Sequence, residues 1–381
     1  MNIDDIFAGC SPESILHSFA YTRAGFIPRE QYERMQPENL RVFDGTRCKG
    51  LLVKYFPDTT NEEGKNYSRR ALQKQTVYLA DPESFNDPYD CSIPFDRDAT
   101  KRHVLSRFAD EFKLKLDPND DIRRCEELIA THLNGLDGES LPRLKRFNGS
   151  QPIVWSHLNY YSMQLAALQR GLDAFDADCV DGVLEQRMSE IEGLTRNYGV
   201  ACFAASYENQ NMWAHYAHGY RGFAIEYDVN RFANASLGNL DAYTQILLQN
   251  IWDVSYVMDR PSCTSFAQEY LTSDLNDNSA IELYVRAFCT KQLFWGMEGE
   301  SRLILPLNSP YVQANERNVP FLPIKAVYLG YKMPTSSKQE ILELCTSGEV
   351  ASKPEVYEMR IDRESFTPRF EKVLSRFGAG A

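Results

Sequence analysis

Short runs of β-branched and aromatic residues recur along this chain, and a long stretch of helical periodicity separates the first two from the rest. That arrangement confines the chain to a fold of mixed helix and strand. The runs 51–56 (LLVKYF), 76–80 (TVYLA), 201–206 (ACFAAS), 222–228 (GFAIEYD), 301–305 (SRLIL) and 326–330 (AVYLG) are bounded by Gly, Pro, Asn or Asp and predict strands. Between 97 and 198, Val104, Leu105, Phe108 and Phe112, then Leu158, Tyr161, Leu165 and Leu168, then Val180, Val183, Leu184, Met188 and Ile191 recur at helical spacing. Turn chemistry at 117–118, 136–138 and 148–152 breaks this block. Residues 280–293 read as a further helix, with Ile281, Tyr284, Val285, Phe288 and Leu293 on one face. The expected fold is α+β, with a mixed, mostly antiparallel sheet core, flanking helices and a helical insertion. Its expected parts are an N-terminal extension (1–47), a core in two pieces (48–96 and 199–350) around the insertion (97–198), and a C-terminal segment (351–381).

Composition narrows the class of protein. With 43% hydrophobic and 25% charged residues, the 381-residue chain has enough apolar surface for one large core or two. No run reaches the roughly 18 to 20 apolar residues of a spanning helix, and the start lacks a basic segment followed by an apolar one, so no membrane partner and a cytoplasmic location are expected. The nine cysteines are widely spaced and include no C-x-x-C pair, so they read as free thiols of a reducing compartment. A net charge of −12 opposes nonspecific attraction to DNA or RNA. Nucleic-acid binding would need a local basic patch, and Arg69-Arg70, Arg123-Arg124 and the 143–146 stretch are small ones; a small-molecule or protein ligand is the expected partner.

Four motifs carry the polar chemistry. Tyr78 to Asp90 ends a strand in a proline-punctuated loop, where Asn86 and Asp87 have the side chains to bond nearby amides. In Asn209 to Tyr216, Trp213 and Tyr216 stand three apart, the spacing of an aromatic wall on one side of a helical turn and equally of core packing. His215 and His218 have the spacing of a metal pair without a third ligand. In Lys291 to Leu305, one strand over 298–305 would put Glu298, Glu300 and Arg302 on one face, and Leu303 and Leu305 on the other. Two carboxylates about 7 Å apart raise one another's pKa unless a cation such as Arg302 or Lys291 compensates, an arrangement common at catalytic sites and in structural Glu–Arg networks alike. Trp295 beside them suits a cleft. Lys54-Tyr55 places polar groups in an otherwise apolar strand, as a ligand contact or as a snorkelling lysine and an edge tyrosine.

The joint order of these motifs resembles a bacterial family catalogued as domain of unknown function 2971. The resemblance rests on Lys54-Tyr55, Phe85-Asn86-Asp87-Pro88-Tyr89-Asp90, Met212-Trp213-Ala214-His215-Tyr216, Gly222-Phe223 with Glu226, Lys291 with Trp295, Glu298-x-Glu300-x-Arg302, and Tyr328-Leu329-Gly330. It spans roughly residues 50 to 345 and implies a scaffold, not a reaction. A second, looser resemblance is to ADP-ribosyltransferases, which carry a basic or His residue on an early strand, a hydroxyl or aromatic on a second, and Glu-x-Glu on a late one. It implies NAD as the cofactor, Glu300 as the carboxylate on the ribose, Glu298 orienting the acceptor, and Tyr55, Trp213 or Tyr216 stacking on a ring. Here Lys54-Tyr55 replaces the usual Arg or His, and no Ser-Thr-Ser signature follows the second strand.

Two other functions fit the same residues. Asp87, Asp90, Glu226, Glu298 and Glu300 are an oxygen-ligand set for a magnesium- or manganese-dependent phosphodiesterase or nuclease, with Lys54 or Lys291 neutralising phosphate. A non-enzymatic ligand-sensing or interaction module would use the motifs only to build a pocket. Under each reading the expected site is Glu300, Glu298 and Arg302 with Lys54, Tyr55, Asn86, Asp87, Trp213, Tyr216, Lys291 and Trp295.

Overall fold

Helices start where the sequence offers a short polar side chain to an unpaired backbone amide. Asn66 accepts from the Arg69 amide at 2.9 Å and begins the helix Tyr67–Lys74; Asp121, Asp176 and Asp241 begin Ile122–Asn134, Ala177–Glu192 and Ala242–Gln249 in the same way. The computed structural model describes residues 19–22, 25–34, 40–42, 50–111, 113–135, 176–232, 239–272, 283–312 and 317–373. Phe112, Leu158, Tyr161, Leu165 and Leu168, the turns at 136–138 and 148–152, the basic stretch 143–146, and Cys10 and Cys48 lie outside these residues. The described cysteines are free thiols, and no described helix is long and apolar enough to cross a membrane.

The fold is α+β, and the chain divides into two compact units. The first comprises residues 1–90, 196–259 and 289–381. In chain order its strands are β1 (Phe19–Thr22), β2 (Gly25–Pro28), β3 (Leu52–Phe56), β4 (Thr76–Tyr78), β5 (Tyr198–Ala204), β6 (Phe223–Tyr227), β7 (Ile251–Asp253), β8 (Ser255–Val257), β9 (Thr290–Gln292), β10 (Glu300–Pro306), β11 (Asn318–Pro320), β12 (Ile324–Leu329), β13 (Glu355–Arg360) and β14 (Arg369–Lys372). The main sheet runs β14-β13-β12-β6-β3-β5-β10-β7, and all its pairs are antiparallel except β12 with β13. A smaller sheet runs β2-β1-β8-β9, and β11 pairs with β4.

Alternation along the main sheet sorts its residues onto two faces. Leu52, Phe56, Phe203, Phe223, Ile225, Leu303 and Leu305 bury one face against Leu247 and Leu248 of the helix Ala242–Gln249 and against Ile341 and Leu342 of the helix Thr335–Thr346. The other face carries a second cluster, Val53, Tyr55, Ala204, Trp213, Ala224 and Tyr328. Gly222 and Gly330 are needed for close backbone approach: a Cβ would sit 2.0 Å from the Phe56 carbonyl oxygen at Gly222, and 2.2 Å from that of Tyr220 at Gly330.

The second unit comprises residues 91–195 and 260–288. Its helices include Arg97–Glu111, Ile122–Asn134, Ala177–Glu192 and Thr264–Thr272, and they bury Val104, Phe108, Ile129, Leu133, Val183, Met188 and Phe266. Arg97 and Lys101 tie the first of these to Glu185, Glu192 and Asp181 on the third. The single helix expected over 280–293 is broken. A π-helix over Leu283–Phe288 gives way to β9, whose strand geometry is imposed by parallel pairing with β8 (Ser255 with Thr290, Val257 with Gln292).

Candidate functional site

The site lies in the first unit, where the main sheet parts. β5 pairs with β10 along its whole length, from Ala204 with Glu300 to Tyr198 with Pro306. Its other edge is shared: Val53 of β3 is in register with Ala204, while Ala80, just past β4, exchanges backbone hydrogen bonds with Val200. Between these two partners the Cys202 carbonyl accepts from the Lys54 Nζ at 3.0 Å, a side chain standing in for a strand. A cleft of about 430 Å³ occupies this parting, within the range of small-molecule pockets. Tyr55, Tyr78, Phe85 and Tyr216 give it aromatic walls, and its polar lining includes Lys54, Asn86, Asp90, Lys291, Glu298 and Glu300.

A buried ionic cluster borders the cleft. Arg302, fully buried, donates through Nε and Nη2 to Glu300 at 2.7 and 2.9 Å, and through Nη1 and Nη2 to both oxygens of Asp90 at 2.7 Å. Two bidentate pairs on one guanidinium fix the Glu300 carboxylate in one orientation. Lys291 donates to Glu298 at 2.7 Å and lies 3.5 Å from oxygens of both Asp90 and Glu300. Its ammonium stands 4.6 Å from the Trp295 ring centroid, a cation–π contact. The Tyr216 hydroxyl donates to the other oxygen of Glu298 at 2.7 Å, and the Glu300 amide donates to the Tyr256 hydroxyl at 2.8 Å.

Protonation follows from this geometry. Burial by itself would raise the Glu300 carboxyl, but Arg302 and Lys291 outweigh it and hold it at about 2, so Glu300 is ionised at neutral pH. Burial opposes the charge on Lys291 too, yet Glu300, Asp90 and Glu298 raise its pKa above the lysine range. Burial lowers the Lys54 ammonium and pushes the Cys202 thiol up, the latter with help from Glu300, so Cys202 is a thiol and not a nucleophilic thiolate. Burial and the bond to Glu298 raise the Tyr216 phenol, keeping it a donor. Within the cluster, three carboxylates face two cations, which leaves one negative charge beside the cleft.

The expected site residues divide by position. Lys54, Tyr55, Asn86, Tyr216, Lys291, Glu298 and Glu300 line the cleft, and Arg302 lies behind Glu300. Trp295 packs on Lys291. Trp213 is fully buried in the sheet's second cluster, its ring edge-on to Tyr55 at 5.2 Å and its Nε1 donating to the Tyr207 carbonyl at 2.7 Å; three-residue spacing brought Tyr216 to the cleft and Trp213 to the core. Asp87 accepts from the Tyr89 amide at 2.9 Å and shapes the loop, while Asp90, three residues on, reaches the cluster.

Glu298 is not in the strand. It ends a 3-10 helix, Leu293–Glu298, and Gly299 at φ 54 turns the chain before β10 begins at Glu300, so the two carboxylates meet Lys291 from different elements. Asp90 was expected only as a metal ligand of the phosphodiesterase reading, and Tyr256 was not expected at all. The first was visible as the last residue of the Asn-Asp-Pro-Tyr-Asp run; the second sits in a plain apolar strand and carried no signal. His215 and His218 are exposed, and no group of three His, Cys, Asp or Glu residues among the described residues has the arrangement of a metal site.

Residues 212–303 match a family described as protein of unknown function (DUF2971). The matched segment takes in Met212 to Tyr216, Glu226, Lys291 and Glu298 to Arg302, and so supports the resemblance over that part of the chain; Lys54-Tyr55 and the 85–90 loop lie outside it. No curated protein and no solved structure matches the chain.

Proposed function

We propose that the cleft binds NAD and that the chain is an ADP-ribosyltransferase-like enzyme. The observation that carries this reading is Glu300: an ionised carboxylate, held rigidly by a buried arginine, at an aromatic-walled cleft where the sheet parts. When bound, NAD would supply ADP-ribose with nicotinamide as the leaving group. Breaking the bond between ribose C1′ and nicotinamide, whose nitrogen keeps the electron pair, builds positive charge on the ribose. A fixed carboxylate accepting from the 2′-hydroxyl stabilises that charge without reorganising. Glu298, held by Lys291 and Tyr216, would orient the acceptor and take its proton as the new bond to C1′ forms. Tyr216 and Phe85 would hold the nicotinamide ring, and Lys54 and Asn86 are donors for the pyrophosphate.

The metal-dependent phosphodiesterase reading is less well served by the donor set. Asp87 is engaged by the Tyr89 amide, and Glu226 by Lys325 and Tyr328 at 2.6 and 2.5 Å. The other three carboxylates are bound to Lys291 or Arg302, which a divalent ion would have to displace. A ligand-sensing module stays consistent with a cluster whose carboxylates are each bound to Lys291 or Arg302. Thermal unfolding with added NAD, magnesium or manganese separates the three readings. The proposal expects a rise of a few degrees with NAD well above its Kd, and none with either metal. Tyr216→Ala should diminish the NAD effect. A response to metal alone favours the phosphodiesterase, and no response to any of the three favours the module.

A further inference from the structure

A second groove, of about 940 Å³, lies in the first unit on the far side of Tyr78, the residue that lines both it and the cleft. In a chain of net charge −12, its lining among the described residues contains three cations, Arg70, Lys74 and Arg317, and not one carboxylate. Arg70 and Lys74 are exposed, one turn apart on the helix Tyr67–Lys74, and neither forms an ion pair among the described residues. The neighbouring Arg69 behaves oppositely: Asp58 and Glu340 neutralise it. Arg317 gives one nitrogen to Asp81 at 3.3 Å and keeps Nη1 buried without a hydrogen-bond partner.

Aromatic rings are interleaved with these charges. Tyr67 shares a helix face with Arg70 and Lys74 and is 56% exposed; Tyr78 is 52% exposed. Across the groove Tyr243 and Tyr311 stand with ring centroids 5.6 Å apart. The helix rises about 10 Å from Tyr67 to Lys74, so ring and charge alternate over more than one residue of a polymer. Open, uncovered rings beside Arg70 and Lys74, unpaired among the described residues, fit a flexible polyanion that carries its own flat groups, whereas an acidic peptide would use the charges and leave the rings bare.

We infer that this groove binds single-stranded nucleic acid, with Arg70, Lys74 and Arg317 on phosphates and the exposed tyrosines stacking on bases. The inference is independent of the chemistry proposed for the cleft, because binding needs no reaction. A strand held there runs past Tyr78 toward the cleft.

Fluorescence anisotropy of the full chain with a labelled oligothymidylate or oligouridylate of about a dozen nucleotides tests it. Arg70→Glu combined with Lys74→Glu should weaken binding at least about tenfold and lower the slope of log K against log salt by about 1.4, two single-strand phosphate contacts. Tyr67→Ala should weaken binding about fivefold or more with the slope unchanged. These side chains are exposed, so both variants should melt as the parent does. Failure of either oligonucleotide to bind would overturn the inference. So would binding that the double substitution leaves intact, or polyglutamate that binds as tightly as the oligonucleotide.

Discussion

Arg302 is the residue on which the site depends. It is completely buried and satisfies two carboxylates at once, so removing it would strand Asp90 and Glu300 as charges away from water. Arg302→Leu should therefore cost about 3–5 kcal/mol of stability in urea unfolding. A loss under about 1 kcal/mol, the range of exposed pairs, would mean that the cluster is more hydrated than its burial indicates. Glu300→Gln alters the fold's ionic balance as well as the cleft, whereas Glu298, bonded to a lysine and to a partly exposed tyrosine, is the cleaner probe of chemistry. At this scale residue type was legible and direction was not. Glu300, Arg302 and Lys291 stood out as compensating charges in an apolar run. That Trp213 turns to the core and Tyr216 to the cleft depends on packing against Tyr55, which lies far away in sequence, and on the bond to the Tyr207 carbonyl.

Elements place these groups and introduce strain of their own. Period-two alternation located β3, β5, β6, β10 and β12 because each has one face in the apolar core. It misread the approach to β10, since a left-handed glycine at 299 ends a 3-10 turn there and resets the phase. In the helical unit, the pairing of Ile122–Asn134 with Ala177–Glu192 buries Glu126. Burial, followed by repulsion from Asp181, raises that carboxyl to about 7, and its Oε1 has no hydrogen-bond partner. A folded pKa above the unfolded one means that the native state holds a proton the unfolded chain releases. Stability from this group is therefore full below about pH 4.5 and lost as pH rises toward 7, by on the order of 3 kcal/mol. Hydrogen exchange in the two helices should show protection falling over that interval, and Glu126→Gln should flatten the dependence. An unchanged pH profile in the Gln variant would contradict this assignment.

Over the whole molecule, Lys54, Asn86, Asp90, Lys291 and Glu300, scattered over more than half the chain, meet because β3, β5 and β10 are consecutive in one sheet and the loop after β4 bonds back to β5. The order of the motifs was readable in sequence; the parting between β3 and β4 that makes room for a cleft was not, because it is defined by which backbone groups of β5 lack a strand partner. Charge is also unevenly distributed: the acidic total conceals a groove whose charged lining, among the described residues, is three cations set beside tyrosines. The function proposed for the cleft rests on one reaction at Glu300. The most direct measurement is nicotinamide released from NAD by the full chain near neutral pH, compared with folded Glu298→Gln and Glu300→Gln variants. The account predicts release by the parent chain and none above background by either variant; no release by the parent, or equal release by all three, would contradict it.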